Sequence, residues 1–317
     1  MDQTLLTTRD VVGMYRLALE DARDLSWLTK VTNLFKSDQA LETYPFIGQV
    51  PAMREWLGGR SAKGFTANSL SIANKHYEAT IEIALRDLRR DKTDQLELRI
   101  TELANQGPQH WASLVTTLLL NGDTTVCYDG QYFFDTDHSE GSSGSQSNKI
   151  SVDISAAPTQ VHGVVAAPSV EEMQFAILQG IQGLMGLKDN QGRPMNQGAS
   201  SFTVLAPTGL WLTAAQAVSA VTTVNSAAAN LNPNVLTGLA IDVALNAELT
   251  WTDSFTIHRT DSPMKAIIRQ EETMPQIKVK DETSEYAFDN DAIQVGIDSW
   301  RNGGYGFWQR AAKVILT

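Results

Sequence analysis

A chain of 317 residues can hold one large domain or two or three modest ones, and a content of 42% hydrophobic and 19% charged residues excludes a disordered protein. The formal net charge of −11 argues against tight, phosphate-driven binding of nucleic acid, which needs regional basicity. The single cysteine, Cys127, rules out an internal disulfide or a thiolate zinc cluster. No basic, apolar leader opens the chain and no run reaches membrane-span length, so a soluble protein that stays in the cytoplasm is expected.

Val11, Met14, Tyr15, Ala18, Ala22 and Leu25 recur at helical spacing, which predicts an amphipathic helix over 8–30 whose apolar face needs cover. An extended stretch marked by Pro45, Gly48 and Pro51 follows. From 51 to 85 the pattern predicts a long two-stranded ribbon. Residues 54–57 form its first strand, and Gly58, Gly59, Ser61 and Gly64 its tip. In the return strand Tyr77, Ala79, Ile81 and Ile83 face one way, with His76, Glu78, Thr80 and Glu82 opposite. A lone ribbon is marginal in water. Nothing later in the sequence announces a cover for it, so it is expected to lie on another surface. Arg86, Arg89, Arg90 and Lys92, interrupted by Asp87 and Asp91, read as a solvated or inter-subunit salt-bridging surface.

Leu96, Ile100, Leu103, Ala104, Trp111, Leu114, Val115, Leu118 and Leu119 predict a long helix over 93–121, kinked at Gly107-Pro108 or split there in two. Residues 127–138 admit two readings. Asp129-Gly130 suits a hairpin turn between a short strand ending at Tyr128 and an aromatic strand from Tyr132 to Phe134. Alternatively, Asp135, Asp137 and His138 could be metal ligands. On a strand Asp135 and Asp137 share a face while His138 points away, so the polar strand end is preferred.

Residues 141–148, rich in glycine and serine, read as a flexible, solvated linker. Ser169 and Glu172 form a capping box that opens a helix. Residues 202–205 read as a strand, Pro207-Thr208 opens another helix, and a small, alanine-rich stretch follows to 229. Alternating segments at 255–258, 266–269, 277–279, 293–297 and 307–316 complete an α+β pattern, with a central module at 165–245 inside a discontinuous one.

The candidate chemistry is sparse. His76, His110, His138, His162 and His258 show no i, i+4 pair, and no Gly-x-Ser-x-Gly elbow occurs. Gly303-Gly304-Tyr305-Gly306 reads as a glycine turn that lets a terminal strand pair beneath Phe307 and Trp308, not as a phosphate loop. Cys127 reads as a small buried hydrophobe, and Lys63 and Lys75 as surface lysines rather than cross-linking nucleophiles. No enzyme activity, cofactor or metal is expected. An arm and a ribbon that a monomer struggles to bury suggest a subunit completed by its neighbours.

Four blocks carry a resemblance. They are 51–58 (Pro-Ala-Met-Arg-Glu-Trp-Leu-Gly, approached by Tyr44), 71–80 (Ser-Ile-Ala-Asn-Lys-His-Tyr-Glu-Ala-Thr), 127–138, and 296–300 followed by 304–311 (Gly-Tyr-Gly-Phe-Trp-Gln-Arg-Ala). In this order the chain resembles the major capsid protein, or major head subunit, of Mu-like tailed phages, with the Hong Kong 97-type fold.

The resemblance implies an N-terminal arm at 1–50, an E-loop ribbon at 51–85 and a P domain at 86–164 with a spine helix at 93–121. It further implies an A domain at 165–245 and the rest of the P domain at 246–317. It implies pentamers and hexamers that close an icosahedral head around double-stranded DNA without sequence-specific binding. The place implied is the virion, assembled in the host cytoplasm without a membrane. The implied partners are copies of the chain, a portal, a scaffold and decoration proteins. Trp56, Lys63, Lys75, Tyr77, Tyr128, Asp129, Gly130, Gly304, Gly306 and Trp308 are the expected assembly and structural positions. The alternatives are an encapsulin-like compartment and a metal-dependent hydrolase using Asp135, Asp137 and His138.

Overall fold

The structure, a computed structural model, describes residues 8–21, 25–44, 70–90, 95–158, 161–222 and 238–317. Helix α1 (Thr8–Asp21) presents Val11 and Tyr15, one turn apart and fully buried, and α2 (Ser26–Val31) leads straight into β1 (Thr32–Lys36). Strands β2 (Leu41–Tyr44) and β3 (Leu70–Ala73) pair antiparallel, Tyr44 opposite Leu70, and so form the root of segment 45–69. The outer part of the expected ribbon, with Trp56 and Lys63, lies outside the described residues.

Strand β4 (Lys75–Ala84) runs into α3 (Leu85–Arg90), and α4 (Gln95–Leu120) follows as one helix of 26 residues with Pro108 inside it. The second half adds β5 (Lys149–Val152), α5 (Val170–Gly186), β6 (Ser201–Ala206), α6 (Thr208–Thr222), β7 (Ala240–Leu245) and β8 (Ser254–Arg259). The chain ends with β9 (Ile267–Lys280), α7 (Glu285–Asn290), β10 (Ala292–Tyr305) and β11 (Ala311–Leu316).

Two larger sheets organise this α+β fold. The first has the order β1-β9-β10-β4, and the second β5-β11-β8-β6-β7. Each has its own core. Ile83, Ile293 and Val295 of the first sheet pack with Val11, Tyr15, Leu96, Ile100 and Leu103. The second sheet buries Phe202, Val204, Phe255, Ile257 and Val314 with α5 and α6. Helix α4 belongs to both cores: Leu96 to Ala104 line the first, and Trp111 to Leu119 the second. At roughly 1.5 Å per residue it is about 39 Å long, enough to join them. Among the described residues, no helix is long and apolar enough to cross a membrane.

Several expectations change. The inner part of the ribbon is not left uncovered, because β4 pairs with β10 along its length, from Lys75–Arg301 to Ala84–Ala292, and its apolar face packs under α1 and α4. The pairing strand β10 comes from residues more than 200 positions away, which local alternation does not reveal. Helix α1 likewise folds back on its own chain, since Val11 and Tyr15 find α4 beside them. The segments at 266–269 and 277–279 are one 14-residue strand. Polar Gln270 in its first half is buried because it accepts from Tyr44 Oη (2.7 Å) and donates to Ile72 O (3.1 Å) and Asn74 Oδ1 (2.7 Å).

The second sheet also takes β5, β8 and β11 from outside 165–245, so the central module is not a separate sheet. Residues 141–148 are an ordered strap. Ser142 N donates to Asn190 O (2.9 Å), and Asn148, fully buried, donates through Nδ2 to Phe133 O at 2.7 Å.

The capping box on α5 forms as expected and does more than cap. Glu172 is fully buried; its Oε1 accepts from the backbone N–H groups of Val161, His162 and Gly163 (2.9 to 3.0 Å), and its Oε2 from Ser169 N at 2.7 Å. Burial alone would raise its pKa, but the four donors outweigh it and hold the carboxyl at about 2. A folded value below the usual value of about 4.3 stabilises the protein fully above that pH and stops doing so as pH falls through about 2. Glu172→Gln is therefore expected to cost about 1–3 kcal/mol at neutral pH. The gap from wild type should shrink in urea titrations repeated toward pH 2, whereas a gap independent of pH would contradict this assignment.

Candidate functional site: a buried Asp129–His138 clasp

Gly130 has φ of +91°, a conformation that costs glycine little, and it lets the chain reverse tightly after Asp129. The reversal is closed by Cys127 N donating to Gln131 O (2.8 Å) and Gly130 N to Cys127 O (3.2 Å). The expected turn is therefore present, but the expected strands are not, and only an isolated bridge joins Val126 to Tyr132. Phe133 and Phe134 are consecutive and both buried, which an alternating strand with one wet face does not allow. Their N–H groups bond instead to Thr125 O and Gly122 O. Phe133 stacks on Tyr305 (ring centroids 4.4 Å apart, planes at 13°) and makes the wall that the aromatic run suggests.

The same turn brings Asp129 beneath His138. Asp129 Oδ2 lies 2.6 Å from His138 Nδ1, and both side chains are almost fully buried. Asp129 Oδ1 accepts from Cys127 Sγ (2.9 Å) and from Gln131 N (3.2 Å). Burial would push the Asp129 carboxyl up, but the His138 and Cys127 hydrogen bonds outweigh it and hold the group below the usual carboxylate range. An ionised Asp129 makes His138 Nδ1 the donor. Burial, followed by the Asp129 charge, pushes the Cys127 thiol far up, so it stays a protonated donor.

His138 stacks on Trp308, with ring centroids 3.9 Å apart and planes at 7°. Trp308 is fully enclosed. Beside the clasp, Gln309 accepts from Tyr128 Oη (3.0 Å) and donates to Glu140 Oε2 (3.0 Å). Burial and then the Asp129 charge raise the Glu140 pKa.

The residues suggested as ligands by sequence are not brought together. Asp135 folds onto its own backbone and accepts from Tyr132 N (3.2 Å) and Thr136 N (2.7 Å), while Asp137 is exposed. The trio with ligand-capable atoms mutually within 4.8 Å is Cys127, Asp129 and His138. The Asp-Gly turn was the available signal, because a reversal at 129–130 carries residue 138 back across residue 129. The two acceptor oxygens of Asp129 already face three donors, so the trio works as a hydrogen-bonded clasp that pins the hairpin against Trp308.

The remaining positions divide between interior and surface. Tyr77 points from β4 toward α4 and packs on His110 (4.2 Å between centroids), and Lys75 is exposed at the start of β4. Gly304 and Gly306 do not form a turn, which corrects the sequence reading. Gly304 lies within β10, where a Cβ would come within 2.6 Å of Ile72 Cδ1, and a Cβ on Gly306 would meet Lys265 O at 2.8 Å. They are glycine because neighbours press on them.

Comparison with known proteins places these features. Residues 9–159 and 237–315 match the model of the Mu-like prophage major head subunit gpT family. The chain is 36% identical over 131 residues to the Mu-like prophage FluMu major head subunit of Haemophilus influenzae, covering 41% of this chain and 42% of that protein. It is 34% identical over 120 residues to the major capsid protein of Escherichia phage Mu, covering 38% and 39%. The aligned stretch thus spans about two-fifths of the length of these relatives.

In fold, the chain is similar to one from the procapsid of bacteriophage JBD30 (TM-score 0.56, 20% identity, 97% of this chain and 74% of that one). It is also similar to one from the capsid of the cyanophage P-SCSP1u (TM-score 0.55, 10% identity, 93% and 89%).

Two substitutions probe the clasp. Trp308→Ala is expected to cost about 3–5 kcal/mol, and an unchanged melting temperature would show that the indole is not enclosed. Asp129→Ala, which strands the buried His138 and Cys127 donors, is expected to cost about 3–5 kcal/mol in urea unfolding, against less than about 0.5 for exposed Asp137→Ala. Equal effects at the two positions would put the weight of the hairpin elsewhere.

Proposed function

The chain belongs to the Mu-like prophage major head subunit gpT family, and from that premise we propose that it is the subunit from which the shell of a phage head is built. The observation that carries this reading is the family match on both sides of the central region, at 9–159 and 237–315. Those two segments supply the whole first sheet and helix α4.

On this reading, copies gather as pentamers and hexamers and close an icosahedral head around double-stranded DNA. The protein does no catalysis and takes no cofactor. Its place is the virion, after assembly in the host cytoplasm. The net charge of −11 suits a container that must not grip its cargo. Many weak copies of one contact stabilise such a shell through multivalency. A portal, a scaffold and decoration proteins complete its partners.

Electron microscopy of the purified protein tests the reading. Closed shells or five- and six-membered capsomers are expected, and a persistent monodisperse monomer would defeat it. Particles that hold an enzyme instead of DNA would favour a compartment shell of the same fold.

A further inference from the structure

We propose that Arg259, Lys265 and Arg310 form a site for a doubly charged oxyanion of the phosphate class, placed where the chain passes between the two larger sheets. The site is independent of the shell reading. Arg259 ends β8 and Lys265 lies in the connection from β8 to β9, while Arg310 lies between β10 and β11. In both connections the chain crosses from one sheet to the other.

The two guanidinium groups meet at one neutral oxygen. Asn196 is fully buried and uses both hydrogens of its amide, since Nδ2 donates to Leu184 O and to Gln309 O (2.7 Å each). Its Oδ1 is thereby turned toward the arginines, and it accepts from Arg310 Nη1 at 2.6 Å and from Arg259 Nη1 at 3.2 Å. Like charges so close repel each other, and an amide oxygen between them does not neutralise either.

One carboxylate serves three cations. Asp261 Oδ1 accepts from Arg259 Nε (2.5 Å), and Oδ2 accepts from Ser200 N (2.9 Å) and Arg259 Nη2 (3.4 Å). That pairing balances Arg259 and engages both oxygens of Asp261. Lys265 Nζ donates to the neutral Thr260 O, and neither Lys265 nor Arg310 forms an ion pair among the described residues. Both side chains are partly buried, and Arg310 Nε has no acceptor among the described residues. Burial, followed by the Arg259 charge, lowers the Arg310 pKa to about 10, and burial lowers that of Lys265 despite Asp261. Three cations against one carboxylate leave an excess of two positive charges, in a chain whose net charge is −11.

Charge and shape select the ligand. Planar guanidinium forks and an ammonium suit the several oxygens of a phosphate. A free phosphate carries about −1.5 to −2 at neutral pH and so matches the excess, whereas one carboxylate leaves a charge unmet. Because Arg259 and Lys265 belong to one crossing and Arg310 to the other, a bound dianion fastens the two crossings together and stiffens the joint between the sheets.

Inorganic phosphate is the probe, titrated calorimetrically into the full chain with ionic strength held constant by sodium chloride. One saturable site per chain is expected, with a melting temperature that rises as phosphate is added. Lys265→Met and Arg310→Gln should each weaken binding roughly tenfold or more, while Arg193→Gln, whose partner is Asp189, should leave it unchanged. Lys265→Met carries the test if Arg310→Gln does not fold. Sulfate should compete with phosphate, and formate at equal concentration should not. The proposal is overturned by a wild-type chain that binds no phosphate, by wild-type affinity in folded Lys265→Met, or by formate competing as strongly as sulfate. A short DNA duplex that binds through Lys265 where free phosphate does not would overturn it as well.

Discussion

Arg301 holds the two halves of the molecule to one helix. From the middle of β10 its Nη1 donates to Gly107 O (3.1 Å), and its guanidinium lies 5.0 Å from the centre of the Trp111 ring, with Arg269 from β9 at 5.3 Å from the same ring. Both arginines are almost fully buried, and Glu271 stands opposite Arg301 in the strand register. Pro108 removes one donor from the helical ladder at this point, where a long helix is weakest. Putting guanidinium groups there costs desolvation, which an indole face and a carbonyl offset in part. Helix α4, with β9 and β10, runs through the cores on both sides, so its midpoint helps to set their mutual placement. The same charge, after burial, depresses the pKa of nearby His110 to about 4 and keeps that ring neutral against Tyr77.

The sequence revealed most where burial is local and periodic. Leu96 to Leu119 keep one apolar stripe, so the helix could be read through Pro108, and Ser169 with Glu172 announces a helix start by its chemistry alone. It revealed least where polar residues are buried by distant partners. Gln270 interrupts an apolar pattern and looked like the end of a strand, although Tyr44, Ile72 and Asn74 satisfy it and the strand continues. Asn148, in a stretch whose composition suggested solvent, reaches Phe133 O and Trp308 O in the interior. At the clasp His138 was visible as a candidate ligand, but Asp129 only as a turn and structural position, because alternation along a strand was the wrong geometry for a chain that doubles back at Gly130.

The expectation of an arm and ribbon left bare by their own chain was wrong for the parts described, since α1 and β4 are both covered from within. Family membership does not depend on that expectation. It follows from residues spread along the chain, several of which (Tyr128, Asp129, Gly304 and Trp308) turn out to serve the interior.

The root of segment 45–69 has a mechanical consequence. Tyr44 Oη and Ile72 O are both fastened to Gln270, and Ile72 presses on Gly304. Gln270 adjoins Glu271, the strand partner of Arg301. Tension applied to either end of that segment therefore enters the sheet beside the arginine that steadies α4. The load path from β2 and β3 to α4 is short and directional, and its links at Gln270 and Arg301 are polar.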